Sequence, residues 1–117
     1  MIRITDWLQN TAIKTDLRSE ILNELWGLVK SIPRGKVASY GELGRALSRP
    51  SSGYMVGRWM AVAPKGLPWW RVVGKNGEMR TESRDPELAK MQRDHLAKEK
   101  VRIVDGAVDM NAHRHMF

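Results

Sequence analysis

The chain has 117 residues, 42% of them hydrophobic, with five Trp, no Cys and a formal net charge of +7. That length suits one domain, and the hydrophobic content suits a packed core rather than disorder. The lack of cysteine excludes disulfides, thiolate metal sites and any thiol nucleophile, and it fits a reducing cytoplasm.

No apolar run approaches the ~20 residues of a membrane span. The opening Met1-Ile2-Arg3-Ile4-Thr5-Asp6 lacks a signal peptide's apolar stretch. A cytoplasmic protein without a membrane partner is expected. The charge is also segregated. Residues 1–33 and 81–117 are each neutral, whereas residues 34–80 hold nine basic residues against Glu42 and Glu78. The whole excess falls in the middle, the footprint expected for a polyanion such as nucleic acid.

In chain order, Trp7, Leu8 and Ile13 suit a short docking helix in an N-terminal extension, residues 1–16. Asp16 can cap a helix from Leu17 to about Ser31, whose apolar residues repeat at three and four through Leu25, Val29 and Ile32. Pro33 and Gly35 stop it. Ser39 and Glu42 have capping-box spacing and open a second helix that ends at Arg49-Pro50. A third helix is expected from about Ser52 to Val62, beginning with the small residues Ser51, Ser52 and Gly53. Two short helices joined by a tight turn within the basic segment predict a helix-turn-helix whose second helix can approach a groove closely.

Pro68-Trp69-Trp70-Arg71-Val72-Val73-Gly74 follows. The proline stiffens the loop that presents two adjacent indoles, either as core or as an aromatic surface for something flat. Arg71-Val72-Val73 reads as a strand, Lys75-Asn76-Gly77 as a turn and Glu78-Met79-Arg80 as its return, giving a small hairpin or wing. Asp85-Pro86-Glu87 starts a helix to about Lys100 with Leu88, Met91, His95 and Leu96 inward. Val101 to Asp109 predicts a second hairpin. Residues 111–117 read as a surface tail or one loosely docked. His113 and His115 form an H-x-H pair with no further ligand nearby, so no metal site and no cofactor are expected.

Ile32-Pro33-Arg34-Gly35-Lys36-Val37-Ala38-Ser39-Tyr40-Gly41-Glu42-Leu43 resembles the start of the DNA-binding half of O6-alkylguanine-DNA alkyltransferases. Val56-Gly57 falls where their recognition helix carries Val-Gly. Pro68-Trp69-Trp70-Arg71-Val72-Val73 matches their active-site Pro-Cys-His-Arg-Val-Val. The match spans roughly residues 17–104. The ending from Val108 to Phe117 is similar to the tail of the alkyltransferase-like proteins, which replace the cysteine. The chain is identified as a member of that group, with residues 17–110 as its domain. The implied fold is α+β and mainly helical, a winged helix-turn-helix.

The resemblance implies a protein that enters the minor groove, bends the duplex and rotates an O6-alkylguanine into a pocket. No alkyl transfer follows, and the lesion is flagged for nucleotide excision repair. Trp69 stands at the nucleophile's place and Trp70 at that of the histidine that would relay its proton, so the chain is expected not to be an enzyme. Glu99 matches the relay's acid and is left with helix-end solvation or an internal hydrogen bond. Tyr40 matches the tyrosine that helps rotate the nucleotide out. The expected lesion pocket is Tyr40, Trp69, Trp70, Arg71 and Val72, with Arg71 structural or phosphate-facing.

Tyr54 occupies the position of an inserted arginine and can act as an aromatic wedge. Arg58, one turn on, can reach a phosphate. Ser39, Ser52, Gly53, Arg34, Lys36, Lys65 and Lys75 complete the expected DNA contacts. Arg45 and Arg49 are further backbone candidates, and Arg80 and Arg84 follow the wing where some relatives hold a cation over the base. The expected partner is duplex DNA containing O6-alkylguanine, with excision-repair proteins behind it, bound by a monomer. The competing reading is a sequence-specific winged-helix transcriptional regulator on the same scaffold.

Overall fold

The computed structural model describes the backbone of residues 4–117 and the side chains of residues 17–117. Its first helix, α1, runs Ile4–Ser31. Asp16 therefore lies inside the helix rather than at its start. No Gly or Pro occurs between Ile4 and Asp16 to stop the helix, and a capping residue type is not by itself a breaker. The side chains of Trp7, Leu8 and Ile13 lie outside the described residues. Farther along, the expected stripe is present: Leu25, Val29 and Ile32 are fully buried, and Ile21, Trp26 and Leu28 pack beside them.

Strand β1 (Ala38–Ser39) leads directly into α2 (Tyr40–Ala46). The capping box is formed, with the Glu42 N–H donating to Ser39 Oγ at 3.1 Å and the Ser39 N–H to the Glu42 carboxylate at 3.5 Å. Helix α3 (Gly53–Met60) starts at Ser52, whose hydroxyl accepts the Met55 N–H. The turn between α2 and α3 is closed by the Ser51 N–H donating to the Gly44 carbonyl at 3.0 Å. Gly44 is buried, and a Cβ there would run into the Ser51 carbonyl. Ala normally improves a helix interior over Gly by ~1 kcal/mol. Here the sign reverses: Gly44→Ala is expected to destabilise the domain by about 1–3 kcal/mol through overpacking, read as a lowered urea midpoint with an unchanged slope.

After a 3₁₀ turn at Trp69–Arg71, β2 (Val72–Val73) pairs in parallel with β1, Ala38 opposite Val72. Side chains alternate across a strand. Ala38 and Val72 accordingly join a core with α1, α2, α3 and Leu67, while Val37 and Val73 join a second core with Met79, Ala89, Leu96, Val101, Val108 and Met110. Two short strands thus separate the helix-turn-helix core from the C-terminal one.

The wing differs from expectation. Gly77 takes φ +85° and the turn closes through the Gly74 N–H to the Glu78 carbonyl. The chain then leaves β2. Glu78 bridges Ala107 instead, and Arg80–Ser83 forms a 3₁₀ turn.

Helix α4 (Pro86–Lys98) starts at the Asp85 cap. It buries Ala89, Gln92 and Leu96, whereas Met91, expected inward, is 50% exposed. Strands β3 (Ile103–Val104) and β4 (Ala107–Val108) form the second hairpin, with positive φ at both Asp105 and Gly106 as a type I′ turn requires. The tail is not loose. It forms α5 (Met110–His113), and Val37 exchanges 2.8 Å hydrogen bonds with the backbone of His113 and His115. His113 adds a clasp: its Nδ1 meets the Gly35 carbonyl and its Nε2 accepts the Arg102 N–H, each at 2.9 Å.

Candidate nucleic-acid interface

The Trp69–Arg71 turn is anchored at both ends. Leu67 before it is buried, and the Arg71 N–H donates to the Pro68 carbonyl at 3.1 Å. Behind it, the Gln92 amide donates to the Trp70 and Val72 carbonyls at 3.2 and 2.8 Å, while Thr81 Oγ1 donates to Gln92 Oε1. A buried glutamine with every partner in place fixes backbone geometry more tightly than apolar packing alone. Sequence reasoning missed it. The available signal was its spacing: Ala89, Gln92 and Leu96 repeat at three and four on one helix face.

In front of the turn is a cavity of about 440 Å³, within the ~300–1,000 Å³ range of small-molecule sites. Trp69, Trp70, Met60, Leu67 and Leu88 supply apolar wall, Tyr40 lines it too, and the exposed Lys65 and Arg84 mark its open side. A basic groove adjoins it and shares Tyr40, Ala61 and Arg84 with it. The groove runs along Gly53, Tyr54 and Arg58 of α3 to Lys75, Arg80 and Arg84. No carboxylate lines it, although Glu78 pairs with Arg80 at 3.4 Å.

Tyr54 is 73% exposed, and its hydroxyl accepts from Arg58 Nη1 at 3.3 Å. The Arg58 guanidinium also lies 5.9 Å from the Tyr54 ring centre, so the two side chains form one unit on the outer face of α3. Burial pushes the Tyr40 phenol's pKa up, against the opposing pull of Arg84 and Arg80 and with a small push from Glu78. The phenol therefore stays protonated near neutrality and can donate a hydrogen bond at the junction of groove and cavity.

Behind the cavity lies a charged cluster. Glu99 Oε2 receives the Trp70 indole N–H at 2.7 Å and Arg71 Nη2 at 2.8 Å, and Oε1 receives the Gly35 N–H and Arg71 Nε, both at 3.0 Å. Arg71 Nη1 donates to the Ile32 carbonyl at 2.8 Å. The Glu99 and Arg71 side chains are only 7% and 16% exposed. Burial would raise the Glu99 pKa, but the Arg71, Gly35 and Trp70 hydrogen bonds and the Arg71 charge outweigh it and hold the carboxyl at about 2. Trp70 also stacks on His95 at 4.0 Å and meets Trp69 edge-on at 6.1 Å.

Several expected site residues are thus gathered and others are not. Tyr40, Trp69, Trp70 and Lys65 line the cavity, and Gly53, Tyr54, Arg58 and Lys75 line the groove. Arg71 and Val72 do not line the cavity. Arg71 is committed to Glu99, and Val72 faces the first core. Ser39 is buried, with its hydroxyl occupied as a helix cap. Ser52 is exposed, but its hydroxyl is likewise a cap. Arg34 donates to the Lys98 carbonyl at 3.0 Å and Lys36 to the Ala112 carbonyl at 3.4 Å, away from both cavity and groove. Arg45 and Arg49 line neither. Chemically, the site can receive a flat ring against apolar and indole surface while cations hold a polyanion alongside. With no cysteine in the chain, it offers no thiolate to take up an alkyl group.

Residues 20–113 match the family described as 6-O-methylguanine DNA methyltransferase, DNA binding domain. A DNA base-flipping protein of Vibrio parahaemolyticus is 31% identical over 75 residues, 62% of this chain and 75% of that protein. Alkyltransferase-like protein 1 of Schizosaccharomyces pombe is 34% identical over 87 residues, 72% of this chain and 79% of that one. The crystal structure of S. pombe Atl1 in complex with damaged DNA containing O6-carboxymethylguanine superposes with a TM-score of 0.75 at 26% identity, covering 85% of this chain and 97% of that chain.

Proposed function

This chain belongs to the 6-O-methylguanine DNA methyltransferase DNA-binding-domain family, and we propose that within it the chain is a non-enzymatic sensor of alkylated guanine in duplex DNA. The groove cations bind the phosphates and α3 enters the minor groove. Tyr54 wedges into the base stack with Arg58 at its side, and the extruded base passes Tyr40 into the cavity beside Trp69. The observation that carries this reading is the continuity of groove and cavity through Tyr40, Ala61 and Arg84. Flipping costs a few kcal/mol of unstacking, and an aromatic–base contact returns ~1–3 kcal/mol of it. An alkylated guanine pairs less well than a normal one, so it is the cheaper base to extract.

Without a nucleophile the base is held and released unchanged. The protein then serves as a cytoplasmic marker, a monomer at one lesion, that hands the site to nucleotide excision repair. The relatives' names, base-flipping and alkyltransferase-like, support this non-enzymatic reading.

The test is a titration of one duplex with and without a single O6-methylguanine at fixed salt. A preference of at least about fivefold is expected, the gain of one stacked base. Equal affinity would overturn the sensor and favour a sequence-specific regulator. Tyr54→Ala is expected to weaken lesion binding about five- to tenfold by removing the wedge's stacking surface. Unchanged affinity would remove Tyr54 from that role.

A further inference from the structure

We infer that Trp70 is a positioning residue: held by Glu99 and His95, it fixes the orientation of the Trp69 indole in the free protein, so that the cavity is formed before DNA arrives. The inference rests on the reading that this cavity receives a base. Trp70 is tied down on three sides. Its indole N–H donates to Glu99 Oε2 at 2.7 Å, its face stacks on His95 at 4.0 Å and 11°, and the Arg71 guanidinium lies 5.7 Å from its ring centre. Its backbone carbonyl is held by Gln92. Trp69, by contrast, has no side-chain hydrogen bond among those of the described residues. Its ring meets two partners edge-on, Trp70 at 6.1 Å and 82° and His95 at 6.3 Å and 79°.

An indole at the rim of a cavity of about 440 Å³ has room to turn unless a neighbour blocks it. The neighbours that block it are Trp70 and His95, and these two immobilise each other. A wall held in the bound orientation loses little rotamer freedom on binding, which is how preorganisation raises affinity. The arrangement also explains why the charged cluster sits where it does. Glu99 stays ionised down to about pH 2, so the acceptor that orients Trp70 is present throughout the neutral range. The acid then serves as an anchor for an indole and has no proton to receive.

The test uses full-length protein labelled with 5-fluorotryptophan, its Trp69 resonance assigned with Trp69→Phe. In the free wild type a single narrow Trp69 line is expected. In Trp70→Phe, which keeps a stacking ring but loses the N–H to Glu99, that line should broaden or split. The ratio of affinities for the O6-methylguanine duplex over the unmodified duplex should fall about five- to tenfold, the scale of one aromatic pair contact. An unchanged Trp69 line, or an unchanged ratio, overturns the inference.

Should Trp70→Phe fail to fold, His95→Ala decides. It removes the other half of the stack, and the same broadening and loss of ratio are expected from it, with no change overturning the inference. A wild-type protein that binds both duplexes equally overturns the base-holding reading and the inference with it. A wild-type preference retained in full by Trp70→Phe overturns the positioning role alone.

Discussion

Arg71→Met is expected to lower the stability of the domain by about 3–5 kcal/mol, the usual cost of breaking one side of a buried ion pair. The size follows from what remains behind. The Glu99 side chain is 7% exposed and would keep its charge while losing three of its hydrogen-bonding contacts, those with Arg71 Nε and Nη2. The Ile32 carbonyl would lose its Nη1 donor as well. Methionine fills most of the volume, so the loss is electrostatic rather than a cavity.

The pH dependence separates this cause from mere loss of packing. In the wild type the Glu99 pKa is lowered from 4.5 to about 2. Its ionised form therefore contributes stability that is complete above about pH 4.5 and is lost as pH falls toward about 2. In Arg71→Met the largest pKa-lowering influence is gone and burial acts with less opposition, so protonation relieves the variant where it harms the wild type. Urea denaturation carried from about pH 6 to about pH 3 should show the gap between the two proteins narrowing. A gap that stays constant with pH would show that the ionised carboxylate is not what the arginine supports.

What could be read in advance was local chemistry. The Ser39–Glu42 box, the Asp85-Pro86 start of α4 and the Asp105-Gly106 turn each need only neighbouring residues, and each formed. The stripe Leu25, Val29, Ile32 was legible because its period is the helix's own. What escaped notice depends on partners far along the chain. Gln92 is buried because Thr81, Trp70 and Val72 supply its hydrogen bonds, and that burial turns α4 so that Met91 faces outward. The tail is held by the backbone of Val37, more than seventy residues earlier.

The candidate site follows the same rule. The charge segregation marked the groove, but a count of cations does not say which are already engaged. Arg34, Lys36 and Arg71 are occupied by carbonyls or a carboxylate, while Arg58, Lys75 and Arg84 line the groove. The motif placed Trp69 and Trp70 together, and the fold shows that the two, both lining the cavity, are held differently. The Trp69 indole has no hydrogen bond among those of the described residues, whereas the Trp70 indole is fastened to Glu99.

That division sets the outcome expected for Trp69→Ala. The substitution removes the indole from the cavity wall and leaves Trp70, His95 and Glu99 to hold one another. Loss of one aromatic–base contact is worth ~1–3 kcal/mol, so affinity for an O6-methylguanine duplex should fall roughly five- to 150-fold. Binding to unmodified duplex should fall much less, because in the proposed reading it rests on phosphate contact by cations of the groove, which Arg58, Lys75 and Arg84 line. The two affinities should therefore converge, and both should keep the same dependence on salt, since no phosphate contact has been removed.

Parallel titrations across a range of salt concentrations measure both quantities at once. If affinity for the two duplexes fell together, Trp69 would be acting on the scaffold, and the base would rest elsewhere. If neither fell, the cavity beside Trp69 would not be where the base is held. Convergence with an unchanged salt slope is the one outcome that separates recognition of the lesion from attraction to DNA. It would place that recognition on the Trp69 indole at the cavity wall.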